Sequence, residues 1–372
     1  MNGAELEVVA GSVIAYRLFE VAYAIDLKQV EQLWAQQART ASTRGRLTAT
    51  PAKAVAFGVP PVALALEAVP LVLEEGPAQA NVTARLHDFG VVSLALRVPV
   101  AGLSWPTFTR LLNAVDRAVG PLAENDVWER LLAAIRAVVA PALIRPNPSM
   151  LAEDYLIGAV NAFDQRLAAA ALQERIDLVP LLSGEQRPLS ETARQDLLRQ
   201  RFSYYTDDLV VLTWDRAFIY EPRGDSDVID VLEVANAQLL EMRYYDELLD
   251  AELPRMYDLV ETTRRRRSWL ASRRFADLAR RLYTLVAEVT ELTEKVDNAL
   301  QVTEDVYLAR IYAAALDLFR VPTVSAAVER KLAIIRDTYA ALYEEASGSR
   351  SEVLELAVLV LIAVEIVVAL VR

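Results

Sequence analysis

The 372-residue chain is long enough for two or three domains, each with a real core. It has a net charge of −12, no cysteine and one histidine, His87. The missing cysteines exclude disulfides, thiolate nucleophiles and cysteine-ligated zinc, and a single histidine excludes multi-histidine metal centres. The acidic balance argues against broad nucleic-acid binding, which needs a basic face.

The first residues carry Glu5, Glu7, Arg17, Glu20 and Asp26 without a basic start or an unbroken apolar core, so no secretory signal is expected. Ser12 to Ile25 is rich in Val, Ile, Tyr and Phe and predicts one or two strands. Asp26 then caps a helix in which Leu27, Val30, Leu33 and Trp34 share a face. Residues 38–51 read as a polar loop. Val55 to Leu73 is strand-like but interrupted by Pro60, Pro61 and Pro70, which confines it to an edge. Ala80 to Pro99 predicts a hairpin turning at His87–Gly90, and His87 beside that turn is expected to be an inert surface residue.

Ser104 and Pro106 open a helix to about Val119, and Asn125 or Asp126 opens another to about Val139. Pro141, Pro146 and Pro148 then mark a boundary between regions 1–150 and 151–225. The second region predicts a strand over Asp154 to Phe163, a short alanine-rich helix and a strand over Ile176 to Leu182. A helix from Ser190 to about Tyr204 follows, then a strand pair over Asp207 to Glu221 turning near Trp214–Arg216. Alternating strands and helices make the body α/β or α+β. Its hairpins favour α+β, and a ferredoxin-like arrangement is one such body.

From residue 226 to 346 the pattern is helical. Asp227 to Leu253 forms one helix, and Pro254 either kinks it or starts a fresh helix after Asp250. Thr263 to about Arg320 forms the next. Within it Phe275, Leu278, Leu282, Leu285, Val289, Leu292 and Val296 step alternately by three and four, the seam of a coiled-coil stem. Val321-Pro322 ends it, and Thr323 to Glu345 is a further amphipathic helix. Val353 to Val371 contains 14 Leu, Ile and Val and only two charges, Glu355 and Glu365. As a helix it spans roughly 28 Å, close to a bilayer's hydrocarbon core of about 30 Å. The apolar residues favour insertion by roughly 4 to 8 kcal/mol against about 3 kcal/mol for a central acid. A C-terminal transmembrane helix over 352–371 is the expectation, with a buried core helix as the bland alternative.

Three sets of residues are candidates for chemistry. Arg266, Arg267, Arg273, Arg274, Arg280 and Arg281 recur every seven residues as a basic stripe. The stripe suits anionic head groups or phosphates, or else pairs with the acids of the preceding helix (Glu241, Asp246, Glu247, Asp250) folded back on it. Asp207, Asp208 and Asp215 cluster around the predicted strand pair and suit a divalent cation or proton transfer, although such residues more often cap helices and turns. Glu365 within the apolar run needs a partner helix or is protonated in lipid. There is no glycine-rich phosphate loop, and no cofactor is expected.

Four stretches resemble the membrane-associated family named for "required for meiotic nuclear division". They are SYYTDDLVVLTWDRAFIY at 203–220, LLEMRYYDELLD at 239–250, VTEDVYLARIYAAALDLFRVPTVSAAVERKL at 302–332 and LELAVLVLIAVEIVVAL near the end. The resemblance implies an α/β body, a helical stem and one C-terminal membrane helix, in a bacterial member lacking an Arg/Ser-rich transit peptide. Mitochondrial members resemble scaffolds that tether translation machinery to the inner membrane, and the family supplies no active-site residues. The leading expectation is a non-enzymatic, tail-anchored scaffold in the cytoplasmic membrane, single-pass, with its body in the cytoplasm. It would bind membrane lipid and an unidentified protein partner, and would self-associate through the stem. The alternatives are an oligomeric ion transporter or sensor laid out like CorA-type channels, whose GMN motif is absent, and a metal-assisted hydrolase using Asp207, Asp208 or Asp215.

Overall fold

The structure, a computed structural model, describes residues 5–37, 43–44, 56–57, 59–74, 76–147, 151–224, 227–265, 300–301, 306–338 and 340, with helical positions 280, 283–284, 286–287 and 289–290. It divides into two compact units. The first is Met1–Glu241 with Lys295–Pro322, and the second is Met242–Glu294 with Thr323–Arg372.

The first unit is α+β and is built on a 10-stranded sheet. Its centre is β1 (Glu7–Glu20), flanked antiparallel by β7 (Val91–Val100) and β10 (Ala152–Phe163). Beyond β7 lie β6 (Gly76–Leu86), β5 (Val62–Leu73) and the short β3 (Thr43–Arg44). Beyond β10 lie β13 (Arg216–Tyr220), β12 (Leu209–Leu212) and β11 (Gln200–Phe202), and only the β10–β13 pair is parallel. A ferredoxin-like body centres on one parallel pair; the parallel pair here, β10–β13, lies towards one side of a ten-stranded sheet. Residues 1–150 and 151–225 contribute strands to this one sheet.

The period of two gives β1 two different faces. Val13, Ala15 and Phe19 belong to the main apolar core. The helices on that side are α1 (Leu27–Gln37), α2 (Trp105–Val119) and α3 (Val127–Val139), which supply Val30, Phe108, Leu112, Trp128 and Ile135. Burying one such side chain contributes about 1.5–3 kcal/mol. Asp26 caps α1 as expected, its Oδ1 accepting the backbone N–H groups of Lys28 and Gln29. The alternate residues Ser12, Ile14, Tyr16, Leu18 and Glu20 are also buried, on the opposite face, and are more polar. That face meets the start of the long helix α7 (Val228–Arg265), and Tyr155 of β10 meets Phe319 edge-on with ring centroids 5.3 Å apart.

The β6–β7 hairpin forms as expected, but His87 is not a surface residue: it is 2% exposed. Its turn is stitched beneath the chain leaving β1. Val21 N–H donates to the Gly90 carbonyl at 3.1 Å and Ile25 N–H to that of Asp88 at 3.0 Å. Gly90, at φ +103°, sits so close that a Cβ would lie 1.8 Å from the Ala22 oxygen.

Three expected elements differ. Where a strand is expected over 176–182 the chain instead forms a short helix, α5 (Val179–Ser183), because Pro180 opens a helical turn and Asp177 Oδ1 accepts the Val179 N–H. The helix capped by Ser190 stops at Leu197 (α6, Glu191–Leu197), and β11 occupies the rest of its expected span. The helix expected over 263–320 is interrupted, since Leu300–Gln301 pairs as a strand with Ala56–Phe57. The chain is helical again over Val306–Leu318.

In the second unit α7 continues through Pro254 without ending. Its acids find a partner in helix Val321–Thr338, where Lys331 Nζ lies 2.6 Å from Asp246 Oδ1 and 2.7 Å from Asp250 Oδ1. Among the described residues no single helix is long and apolar enough to cross a membrane. Helices Val306–Leu318 and Val321–Thr338 meet that criterion only when taken together. The tail 352–371, with Glu365, lies outside the described residues, as do stem residues Phe275, Leu278, Leu282, Leu285, Leu292 and Val296. Of the seam, Val289 is described and buried. Of the basic stripe, Arg280 is described and exposed, whereas Arg266, Arg267, Arg273, Arg274 and Arg281 are not described.

Candidate functional site: an aromatic and arginine groove

The loop 203–208 enters β12 and is held from within. Asp208 accepts the backbone N–H groups of Tyr204 at 2.7 Å and Tyr205 at 3.0 Å. Ser203 Oγ donates to the Tyr205 carbonyl at 2.6 Å and also lies 2.9 Å from the Asp208 carbonyl. The Thr206 carbonyl accepts the first N–H of the helix Ala169–Arg175 at 2.8 Å. So anchored, the loop turns two tyrosine rings outward. Tyr204 is 52% and Tyr205 42% exposed, and the rings are perpendicular with centroids 4.8 Å apart.

These rings line an open groove of about 610 Å³ with Arg166, Leu167, Ala168, Thr206, Asp207 and Arg223. Arg166 Nη2 pairs with Asp207 Oδ2 at 2.7 Å. That hydrogen bond holds the Asp207 carboxyl below its usual range, and Arg223 adds to the effect. The Arg223 guanidinium lies over the Tyr205 ring, its carbon 4.3 Å from the ring centre.

The three candidate acids therefore occupy separate posts. Asp207 belongs to the groove, while Asp208 closes the loop beneath it. Asp215 sits in the β12–β13 turn, its Oδ1 accepting from Thr213 Oγ1 at 3.1 Å, and burial pushes its carboxyl up. Among the described residues there is no group of three or more His, Asp or Glu side chains that could hold a metal ion.

Two buried polar clusters were not singled out from the sequence. Arg216 at the start of β13 donates to Asn113 Oδ1 at 2.6 Å, Asp116 Oδ2 at 2.6 Å and the Leu181 carbonyl at 2.9 Å. It thereby ties α2, α5 and the sheet together. On the opposite face Arg85 of β6 donates to Glu233 at 2.6 Å and to Asp230, both on α7. Nearby, burial and then the Glu241 carboxyl push Glu20 well above the usual carboxylate range. The available signal was polar residues at alternate positions of an apolar strand (Tyr16, Glu20), matched by acids at 230, 233 and 241 along one helical face.

Comparison with known proteins adds a family. A family model described as "Uncharacterized protein MJ0711, N-terminal domain" matches residues 10–227. The Methanocaldococcus jannaschii protein described as "Uncharacterized protein MJ0711" is 26% identical over 196 residues, covering 52% of this chain and 59% of its own length. No solved structure matches.

Proposed function

This chain belongs to the family of the MJ0711 N-terminal domain, and from that premise we propose that it is a non-enzymatic scaffold held at a membrane by its C-terminal tail. The observation that carries the reading is the loop 203–208. It spends a buried carboxylate, Asp208, on fixing a backbone that displays two tyrosines, rather than on any reacting group. Rigid, half-exposed aromatic rings are what a protein-binding surface uses as anchors.

The membrane half of the proposal rests on the composition of Val353 to Val371. Self-association through the seam Phe275 to Val296 is part of the same proposal, as is contact of the arginine stripe with anionic lipid. The order of the four matching stretches supports kinship with the meiotic-nuclear-division family, whose mitochondrial members resemble membrane tethers.

The test uses the full chain in cells. It should pellet with membranes and resist alkaline extraction, and truncation after Arg350 should release it. A photo-cross-linking residue at Tyr204 should give a protein adduct on those membranes. Full-length protein found wholly in the supernatant, without aggregation, removes the anchor and with it the scaffold.

A further inference from the structure

We infer that the groove of Arg166, Tyr204, Tyr205 and Arg223 takes an acidic peptide segment of a partner protein, seating a side-chain carboxylate on the edge of the Arg223 guanidinium. This inference rests on the scaffold reading and names the chemistry of its partner.

The argument begins with Arg223. Its guanidinium carbon lies over the Tyr205 ring, 4.3 Å from the ring centre. A guanidinium carries five N–H donors in a rigid planar fork, more than one contact with a ring can use, so donors remain for a ligand. Arg223 makes no ion pair among the described residues. Arg166 is different, because Asp207 already occupies it. Counting Arg166, Arg223 and Asp207, the groove carries one positive charge on a chain whose net charge is −12. The local field therefore favours an anion at this place, and an arginine pairs with a carboxylate through two parallel hydrogen bonds.

The shape selects a peptide. At about 610 Å³ the space suits several side chains, yet it is an open trough rather than an enclosed chamber for a small molecule. Tyr204 lies against Tyr307, with centroids 5.3 Å apart, which extends the aromatic floor beside the charge. An acidic residue next to an apolar one would meet both features. A single-stranded nucleic acid also stacks on tyrosines, but it needs a run of cations to follow its backbone. Here one arginine is uncommitted and Asp207 stands beside it.

Fluorescence anisotropy on the full chain in detergent tests the inference. The probe is a labelled, end-blocked pentapeptide of four glutamates around one phenylalanine. Its glutamine counterpart and an oligouridylate serve as comparisons. The acidic peptide should bind at low salt and weaken as salt rises, and its glutamine counterpart should bind about tenfold less tightly. Arg223→Ala should weaken the acidic peptide about tenfold, and Arg223→Lys should recover only part, because the ammonium neither stacks nor forks. Arg201→Ala lies in a separate cleft with Gln173, Asp177 and Arg194, and it should change nothing.

Equal binding of the acidic and glutamine peptides overturns the inference, and so does equal loss in the Arg201 and Arg223 variants. Tighter binding of the oligouridylate through Arg223 replaces the peptide with a nucleic acid and overturns it as well. No peptide binding while the Tyr204 adduct still forms on membranes discards the groove chemistry and leaves the scaffold. Peptide binding by a chain that never pellets discards the scaffold and leaves the groove.

Discussion

Arg85 Nη1 lies 2.6 Å from Glu233 Oε2 and joins a strand to a helix 148 residues further along the chain. The Glu233 side chain is 1% exposed and that of Arg85 31%. Burial pushes the Glu233 carboxyl up and Arg85 pulls it back, while the Tyr16 hydroxyl beneath is raised first by burial and then by Glu233. This is a charged layer inside an otherwise apolar contact, and its members depend on one another.

Removing only the cation should therefore do the most harm. Arg85→Ala leaves Glu233 buried without its partner and should cost about 3 kcal/mol, the low end for a broken buried pair because the guanidinium keeps some solvent. The double change Arg85→Met with Glu233→Leu should recover much of that loss, since apolar replacement of a whole buried pair is often neutral. Urea unfolding midpoints check this. A double variant no more stable than Arg85→Ala contradicts it.

Stability should also fall on both sides of an intermediate pH. Glu20 is raised well above the usual range, by burial first and then by Glu241. A carboxyl with a raised folded pKa gives its full contribution below the unfolded value and loses it as pH rises through the folded one. His87 runs the other way. Burial pushes its pKa down to about 3, with Arg85 adding to the shift. The unfolded chain therefore binds that proton first, and stability falls as pH drops from about 6.5 towards 3, by up to about 1.4 kcal/mol per pH unit. Glu20→Gln should flatten the alkaline limb and His87→Gln the acid limb. Unfolding midpoints across pH read both, and an unchanged limb in either variant refutes that assignment.

The sequence carried the elements better than their arrangement. Asp26 and Ser190 marked true helix starts because a cap is a local bond: Ser190 Oγ accepts the Ala193 N–H at 3.3 Å. The strand pair around Trp214 was legible for a similar reason, as two apolar runs with one tight turn. Where tertiary contact decided the outcome, the local pattern misled. His87 is in a turn, as read, but β2 (Ala22–Ile25) is stitched to that turn and buries it. The acids at 207, 208 and 215 were visible as a cluster. Their separate duties were not, because Arg166 lies 41 residues from Asp207 and no periodicity links them. The groove's tyrosines stood within the quoted stretch 203–220, but their exposure depends on bonds made by Asp208.

The Arg216 junction makes a sharper test of packing. Gly184 ends α5 at φ +67°, and a Cβ there would lie 2.5 Å from Arg216 Nη2. Gly184→Ala adds backbone strain of about 1–2 kcal/mol and pushes the guanidinium off Asp116. Arg216→Lys keeps the charge but cannot reach Asn113, Asp116 and the Leu181 carbonyl at once, so it should destabilise as well. If the two act through the same bonds, the double variant should be less destabilised than the sum of the singles. Simple additivity in urea midpoints counts against a shared junction.

Asp207 and Asp208 are neighbours with opposite expected behaviour. Asp208 is 8% exposed and each of its oxygens accepts one backbone N–H. Asparagine supplies one acceptor and turns an amide towards the other N–H. Asp208→Asn should therefore cost about 1–2 kcal/mol and loosen the tyrosine loop. The Asp207 side chain is 16% exposed but its partner Arg166 is 73% exposed, so Asp207→Asn should lower the unfolding midpoint less than Asp208→Asn does. The groove should read the same pair in reverse. Losing the Asp207 charge frees Arg166 and should strengthen acidic-peptide binding, whereas Asp208→Asn should weaken it by letting Tyr204 and Tyr205 move. Equal effects of the two changes on both readouts would mean that loop 203–208 neither holds its rings in place nor balances the groove's charge.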